Sequence, residues 1–437
     1  FGEADDPRLG MLATVREYGH EQLSASGELE TLRARHASHY LTWVELDAAP
    51  GTWGYEQAVW LARVEEELDN LRVALSWCLE RGQVGDAQAL ERGLLCAGLL
   101  FYFWHIRGHA EEGLAWLERL LALSPVDVPA RGRGHALRSA ATLAGLKGEQ
   151  PRMHAMVAES VAVLRRMDNV HDQAWVLLTF GALTGYWPRP GTSDLADARA
   201  CLEGALTLLA GVQARDATWS LLAMSTHTYL INPLLAQGEV ASARAHLDQA
   251  LALDRAEDLH WSMSYALSWR AVVARIEGDL PAAGGYLERA HQHAAAIRDQ
   301  YGMGTALMQR GVVAQQAGDM AAAGHWYTRA MQMFEPLGYL ETAVEAWCGL
   351  AEVRLAERDP AAAVRLVAAT AALTEAAEAV LRAPVQERMD RVRAQAEAAL
   401  GREEQAAAWA AGQTMTLDQV IAEALSDVDD AEINHEP

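Results

Sequence analysis

The sequence predicts an all-α protein in which helical hairpins stack into a right-handed α-α superhelix. Short turns recur every forty residues, at Gly238-Glu239, Gly278-Asp279, Gly318-Asp319 and Arg358-Asp359. Small residues follow these turns in a constant register. No segment shows sustained alternation of apolar and polar residues, so no sheet is predicted. A constant period is typical of a repeat array, and one compact core rarely reaches 437 residues.

Each unit is predicted to contain a first helix, a turn and a second helix. Glycine at the turn adopts the left-handed conformation that ends a helix. Small residues let the second helix lie close to the first; they are Ala243, Ala250, Ala283, Ala290, Ala323, Ala330 and Ala363. A larger residue between each pair fills the remaining space; these are Leu247, Leu287, Tyr327 and Val367. Because one hairpin cannot bury its own apolar face, neighbouring hairpins are expected to stack into a solenoid.

The array extends less regularly towards both ends. Turns at Arg107-Gly108 and Lys147-Gly148 are again about one period apart. The next turn, from Tyr186 to Gly191, is longer and contains two prolines. The apolar run from Gly93 to Ile106 is shorter than the roughly 18–20 residues of a membrane span, so it predicts a buried helix. The acidic segment 426–437 lacks a core pattern, and we expect it to be disordered.

The composition is typical of an acidic cytoplasmic protein. The formal net charge of −23 argues against direct contact with nucleic acid, because phosphate binding needs a basic surface. The four cysteines lie far apart in the sequence, which suits a reducing cytosol and excludes a disulfide scaffold. The chain begins at Phe1 without a signal peptide, so we expect a cytoplasmic piece of a longer protein that makes no membrane contact.

The turn glycines and the alanines of the second helices define a helix-pair pattern. Ala271 and Gly311 occupy the corresponding small position of the first helix. This pattern resembles tetratricopeptide repeats, although units of that family have about 34 residues. The resemblance implies a tetratricopeptide-like solenoid with longer helices.

Strings near both ends of the chain are more specific than the repeats. They are LGMLATVREY at 9–18, RARHA at 33–37, ELDNLRVAL at 67–75, AWAAG at 408–412 and MTLDQV at 415–420. The first resembles the end of a winged-helix module. Together they resemble the helical-repeat sensor region of bacterial signal-transduction ATPases with numerous domains, in the group of maltose-activator-type and LuxR-type transcriptional regulators.

The resemblance implies an organisation into four parts. Residues 1–25 would form the tail of a winged-helix module or a linker, and 26–125 a helical part that joins the ATPase core to the sensor. Residues 126–412 would form the repeat array, and 413–437 a C-terminal helix with an acidic disordered tail. In such regulators the sensor binds an inducer or a partner and releases the ATPase.

No pattern in this chain predicts chemistry. The only lysine, Lys147, precedes Gly148, so the Gly-Lys-Ser/Thr of an ATP-binding loop is missing, and HExxH, GxSxG and GxGxxG do not occur. His36 and His39 have the i,i+3 spacing of metal ligands but lack a third ligand. We therefore predict no enzyme activity, catalytic residue, cofactor or metal site in this chain.

The first helices of the hairpins carry the candidate binding residues. By analogy with tetratricopeptide repeats, one face of these helices lines the concave groove, where aromatic anchors and polar groups form ligand sites. The candidates are Trp175, Tyr186, Thr228, Asn232, Trp261, Tyr265, Arg275, Tyr301 and Gln315. Arg275 is a candidate partner for a ligand carboxylate or phosphate. Alternatively, the aromatic side chains only fill the core, which is the more frequent role for any one of them.

Two functional hypotheses follow. The first is a non-catalytic domain that senses a small-molecule inducer or a regulatory protein and acts on an upstream ATPase module of the same protein. The second is a protein-interaction scaffold whose groove binds a peptide or a partner helix without a small-molecule ligand.

Overall fold

A computed structural model describes residues 11–53, 56–124, 131–166, 169–189, 191–213, 215–253, 259–334, 337, 339–376, 381, 383–416, 419–420 and 422. Within these ranges the regular elements are helices and no strand occurs, which confirms the predicted all-α fold. The acidic tail at 426–437 lies outside them, and the strings at 9–18 and 415–420 are described only in part. No helix within these ranges is both long enough and apolar enough to span a bilayer.

The N-terminal part is a set of mutually packed helices. Its elements are α1 (Ala13–Ser26), α2 (Leu29–Trp43), a π-helical turn (Val44–Ala48), α3 (Ala49–Trp53), α4 (Gln57–Glu66), α5 (Leu68–Gln83), α6 (Ala87–Leu99), α7 (Phe101–Ile106) and α8 (Ala110–Leu121). Helices α2, α5 and α6 pack in succession, and α6 lies against the first helix of the array. The apolar run predicted as a buried helix forms most of α6 and all of α7, where Gly93 and every residue from 94 to 106 are buried.

Hairpins form the rest of the chain. The array consists of α9 (Arg131–Leu146) with α10 (Gln150–Leu164), α11 (Val170–Tyr186) with α12 (Asp194–Ala210), α13 (Ala217–Tyr229) and α14 (Ile231–Ala236) with α15 (Val240–Leu253), α16 (His260–Ile276) with α17 (Leu280–Ala296), α18 (Gln300–Gln316) with α19 (Met320–Phe334), and α20 (Leu340–Ala356) with α21 (Pro360–Ala376). Helices α22 (Ala383–Ala398) and α23 (Arg402–Gln413) cover α21. This order is the predicted tetratricopeptide-like arrangement.

The recurring Gly-Asp turn both ends one helix and begins the next. Gly278 has φ +84°, a left-handed conformation that glycine adopts without strain. Asp279 donates its backbone N–H to the Ala274 carbonyl at 2.9 Å, and its carboxylate accepts the backbone N–H of Ala282 at 3.0 Å. The second contact is an N-cap that satisfies one of the free donors at the start of α17. In the last unit Arg358 takes the glycine position with φ +66°.

Packing between the two helices of each unit follows the predicted register. The seven alanines named for the second helices are fully buried, and so are Leu247, Leu287 and Tyr327. Val367 is 2% exposed. The small and large positions were therefore predicted correctly.

The N-terminal part packs against the array. Contacts between residues more than two hundred positions apart hold it there. The backbone N–H of Trp261 donates to Gln57 Oε1 at 2.9 Å. Arg298 pairs with Glu65 at 2.6 Å, and His105 Nδ1 lies 3.3 Å from the Tyr339 hydroxyl. Because α7 lies against the first helices of the array, a cavity with an open mouth takes the place of the long open groove that the sequence suggested.

A histidine pair between α13 and α15 makes the fold sensitive to acid. His227 Nδ1 and His246 Nδ1 are 2.9 Å apart, so one nitrogen donates a hydrogen bond and the other accepts it. Burial, with a smaller contribution from His246, lowers the pKa of His227 to about 4, and burial also lowers the pKa of His246. Both pKa values lie below that of an unfolded histidine. The unfolded chain therefore binds more protons as the pH falls from about 6.5 towards 4, and folding stability decreases over that range.

We expect the double variant His227→Phe/His246→Leu to lose less stability than the wild type between pH 7 and pH 4.5. Urea unfolding at a series of pH values measures this, and the difference between the two profiles isolates the pair from other titrating groups. The variant His39→Gln, which changes an exposed histidine, is the control. Identical pH profiles for the double variant and the wild type would show that the pair does not contribute.

Candidate functional site

A cavity lies between α7 and the first helices of five successive hairpins. It has about 940 Å³ of empty space, including its open mouth, so it has room for a small organic molecule. Its walls are formed by residues of α7, α9, α11, α13, α16 and α18, together with Trp187 and Asp299.

Helix α7 forms the floor of the cavity. Phe101, Tyr102 and His105 line it, and the helix is held from both ends. The Trp104 indole N–H donates to the Ala97 carbonyl at 3.1 Å, and the Arg107 guanidinium donates to the Ile297 carbonyl. These contacts fix α7 between α6 and the C-terminal end of α17.

Five aromatic side chains in mutual contact, here called the aromatic wall, line the cavity. They are Tyr102, Trp175, Tyr229, Trp261 and Tyr265. The rings of Trp261 and Tyr265 are stacked, with centroids 5.9 Å apart and an interplanar angle of 10°. Tyr102 meets Trp261 edge-on at 5.0 Å. The stacked pair provides an apolar ring face, and the tyrosines of the wall add hydroxyl groups.

Arg138 on α9 is the permanently charged residue of the cavity lining. Its side chain is buried, and its guanidinium carbon lies 4.8 Å above the ring of Trp175 and 5.6 Å above that of Phe101. Nη2 donates to the Gly98 carbonyl at 3.3 Å, whereas Nε has no hydrogen-bond partner. In the part of the chain that the structure describes, no carboxylate oxygen lies within 4 Å of its nitrogens. Burial lowers the pKa of Arg138 to about 10, so the side chain is charged at neutral pH.

His105 and Asp299 are the lining residues besides Arg138 whose charge state matters at neutral pH. Burial lowers the pKa of His105 to about 4, so its ring is neutral. Asp299 caps α18, where its carboxylate accepts the Gly302 N–H at 3.0 Å. Burial raises the pKa of Asp299 to about 7, so its carboxyl group is partly protonated. The cavity therefore has a positive balance within a strongly acidic chain.

Two hydroxyl groups in the lining lack partners. Ser225 Oγ on α13 and Thr305 Oγ1 on α18 are buried and form no hydrogen bond with the protein. Ser268 Oγ, by contrast, donates to the Ser264 carbonyl at 2.9 Å. Buried polar groups are normally hydrogen-bonded, so unpaired ones in a cavity wall indicate space for a polar ligand or water.

The cavity brings together five of the nine residues that the sequence singled out. They are Trp175, Tyr186, Trp261, Tyr265 and Tyr301. All five lie on first helices, α11, α16 and α18, and their rings are in contact with neighbouring aromatic residues.

The remaining four candidates lie outside this cavity. Thr228 donates to the Met224 carbonyl of its own helix at 2.8 Å, and Asn232 donates to the Gly185 carbonyl at 2.8 Å. Gln315 bridges Glu352 and the Tyr327 hydroxyl, each at 2.8 Å. Arg275 is partly buried near the end of α16, and its Nε has no partner.

Sequence reasoning missed Arg138, although a signal was present. Arg138 lies ten residues before Gly148, as Ser268 lies ten residues before Gly278. The position that faces the cavity in α16, where it is Ser268, is therefore occupied by Arg138 in α9. Asp299 and His105 had no comparable signal, since one precedes a first helix and the other belongs to α7.

Among the residues with described positions, no group of three or more histidine, cysteine, aspartate or glutamate side chains could hold a metal ion. The four cysteines are free, and burial raises the pKa of each thiol.

Comparison with known proteins reveals relatives in bacteria. HTH-type transcriptional regulators of Mycobacterium tuberculosis and Mycobacterium bovis are 28% identical to this chain over 277 residues. The match covers 62% of the chain and 25% of each relative, so the chain spans only about a quarter of the length of these regulators. The chain matches no protein-family model.

Two solved structures align with this chain, the first of them with a TM-score above 0.5. A Rap protein complexed with Competence and Sporulation Factor aligns with a TM-score of 0.51 and 11% identity, over 85% of this chain and 99% of that one. A signal-transduction ATPase with numerous domains and a tetratricopeptide repeat sensor, from Pyrococcus horikoshii, aligns with a TM-score of 0.46 and 11% identity, over 76% of this chain and 52% of that one. Its stacked helical hairpins make the chain a tetratricopeptide-like helical-repeat protein, and its sequence is similar to part of bacterial transcriptional regulators.

Proposed function

We propose that this chain is the non-catalytic sensor region of an ATP-dependent transcriptional regulator and that a small-molecule effector binds in the cavity. One observation carries the proposal: an aromatic cavity contains a charged guanidinium that has no carboxylate partner among the described residues. In an empty cavity such a group is costly, because contacts with the rings of Trp175 and Phe101 compensate a buried charge less fully than an anionic partner does.

Sequence similarity supports the regulatory part of the proposal. The strings at both ends of the chain resemble the sensor region of signal-transduction ATPases, and the curated relatives are named as transcriptional regulators. In this proposal the ATPase and the DNA-binding output belong to other parts of a longer cytoplasmic protein. The net charge of −23 suits a region that contacts neither nucleic acid nor membrane.

The position of the cavity suggests how a bound effector would act. Its floor, α7, belongs to the N-terminal part, whereas its walls belong to five hairpins of the array. A ligand that touches both would stabilise the packed arrangement of the two parts relative to any looser one. The N-terminal part would then transmit the change to an upstream ATPase module.

A cavity-filling variant tests effector binding. We expect some compounds of a panel of neutral, anionic and cationic metabolites to raise the melting temperature of the wild-type chain, by mass action on the folded state. Ser268→Phe places a ring in the cavity and should abolish this effect, whereas Gln249→Phe adds the same ring on the exposed face of α15 and should preserve it. The proposal fails if no compound raises the melting temperature, or if the effect persists in Ser268→Phe.

A protein partner is the alternative occupant. If the chain binds a regulatory protein or a peptide instead, pull-down with the upstream part of the full-length protein, or with peptides, should succeed in both variants, because such a partner needs a larger surface than this cavity. That result, without any small-molecule effect, would replace the sensor proposal by the scaffold hypothesis.

A further inference from the structure

We infer that the cavity binds a small aromatic carboxylate, with its carboxylate group on Arg138 and its ring against the aromatic wall. This inference rests on the proposed function, because it specifies the class of effector for the same cavity. It is carried by the unsatisfied guanidinium, the charges around it and the shape of the wall.

The hydrogen bonds of Arg138 leave donors available. A guanidinium has five N–H donors, and the bond of Nη2 to the Gly98 carbonyl is long, at 3.3 Å. That carbonyl already accepts a shorter bond of 2.7 Å from Ser139 Oγ. The Arg138 guanidinium is therefore not needed to satisfy Gly98, and its Nε is unpaired.

The nearby carboxylate is committed to other partners. Asp172 accepts from Arg131 Nε at 2.9 Å and lies 3.0 Å from His135 Nε2. Although burial alone would raise it, contacts with His135 and Arg131 hold the pKa of Asp172 at about 2. Asp172 therefore stays ionised but is shared between these two residues, which leaves Arg138 as the side chain without a direct anionic partner.

The charge of the cavity selects a singly charged anion. Arg138 is the permanent cation of the lining, His105 is neutral, and Asp299 is partly ionised near neutral pH. A phosphate group carries up to about two charges at neutral pH and is usually held by several donors. A carboxylate carries one charge and matches the planar fork of a single guanidinium.

The aromatic wall selects the rest of the ligand. Trp261 and Tyr265 present stacked rings, and Trp175 lies directly below the guanidinium. A flat ring packs against such surfaces with little loss of conformational entropy. The unpaired hydroxyls of Ser225 and Thr305 can bond a hydroxyl or ring N–H on the ligand.

A purely structural role for Arg138 makes a different prediction. If Arg138 only stacks on Trp175 and Phe101, its replacement should destabilise the fold. If instead it is retained for a ligand, Arg138→Met should fold with an unchanged or higher melting temperature, because an apolar side chain of similar length avoids the cost of burying the charge. Thermal unfolding without added compounds separates these two outcomes.

The binding test uses the quenching of tryptophan fluorescence and calorimetry with benzoate, phenylacetate and indole-3-acetate. The neutral isosteres benzamide, phenylacetamide and indole-3-acetamide are tested beside them. We expect at least one carboxylate to bind the wild-type chain about tenfold or more tightly than its amide, because the amide cannot form the charged pair. Arg138→Met should abolish this preference, and Arg138→Lys should restore only part of it, because lysine lacks the planar fork.

A matched control is Arg310→Met, since Arg310 also stacks on a tryptophan, Trp326 at 3.7 Å, but does not line the cavity. It should bind the carboxylates like the wild type. Equal affinity of carboxylates and amides in the wild type overturns the inference, as does wild-type carboxylate affinity in Arg138→Met. If only neutral compounds bind and Ser268→Phe abolishes their binding, the ligand class is wrong and the sensor proposal stands. If no compound of any class binds, both fail.

Discussion

Replacing Gly98 by alanine is expected to destabilise the fold, whereas the same replacement at Gly284 is expected to stabilise it. A Cβ at Gly98 would lie 2.7 Å from the carbonyl carbon of His135 and 2.8 Å from the nitrogen of Ala136. These are backbone atoms of α9, so the added methyl group must push two helices apart. Overpacking of this kind costs about 1–3 kcal/mol, and a rigid backbone neighbour places this site at the upper end.

Gly284 provides the control because it lies in α17 with open space around it. Apart from the adjacent residues and the backbone of α17 itself, no atom lies within 4 Å of a Cβ added there. Alanine should therefore gain about 0.5–1 kcal/mol from its higher helix propensity. Urea unfolding of the two variants and the wild type measures both effects. Equal and small changes at the two sites would contradict the close approach of α6 and α9.

The Gly98 replacement should also affect ligand binding in the cavity. Helix α9 carries Arg138, and the Gly98 carbonyl accepts bonds from both Arg138 and Ser139. A shift of α6 relative to α9 would displace the guanidinium from Trp175. Gly98→Ala should therefore weaken carboxylate binding as well as folding, whereas Gly284→Ala should leave binding unchanged.

The second large expected effect concerns Gly311 on α18 and Tyr327 on α19, whose replacements should partly compensate each other in folding stability. Gly311→Ala alone should destabilise the fold by about 1–3 kcal/mol, because its Cβ would lie 2.7 Å from the ring of Tyr327. Tyr327→Leu alone should cost about 2–4 kcal/mol, because it removes a fully buried ring and its hydroxyl bond to Gln315. The ring is enclosed from the other side by Gly349.

The double variant Gly311→Ala/Tyr327→Leu should lose less stability than the sum of the two single losses. The unit forty residues earlier has this combination, with Ala271 and Leu287 packed together in its core. The methyl group of alanine would fill part of the space that the ring vacates. A double-mutant cycle by urea unfolding should give a favourable coupling of about 0.5–3 kcal/mol, and strictly additive losses would contradict the packing.

Local sequence patterns predict the repeat unit well because its determinants are local. The turn at Gly278 and Asp279 satisfies the end of one helix and the start of the next through residues no more than five apart. The alanine register follows from the close contact of two adjacent helices. These features therefore appear as a fixed period in the sequence.

The cavity is less predictable because long-range contacts create it. Nothing in the apolar run of 93–106 indicates that His105 lies beside Tyr339, 234 positions away. The extent of the cavity along each helix is also set by α7. In α16 and α18 it follows only the first half of the helix, so Arg275 and Gln315 near the ends lie outside, although they share the periodicity of Trp261 and Tyr301.

The register of the first helices nevertheless predicts Arg138, the charged residue of the cavity lining. Ser268 lines the cavity ten residues before the turn at Gly278, and the same offset from the turn at Gly148 selects Arg138. The irregular turn after Tyr186 separates the regular units from that hairpin, and this break concealed the correspondence. Arg138 and Arg275 both have an unpaired Nε, and their position distinguishes them, since only Arg138 lines the cavity.

A crystal structure of the chain grown with a saturating concentration of phenylacetate or indole-3-acetate is the most direct test. We expect the carboxylate within about 3 Å of the Arg138 guanidinium, as in charge-assisted hydrogen bonds. The ring should lie against Trp175, Trp261 and Tyr265. A cavity that holds only water under these conditions, or a ligand found only on the outer face of the array, would contradict a sensor that recognises an aromatic carboxylate inside its helical repeats.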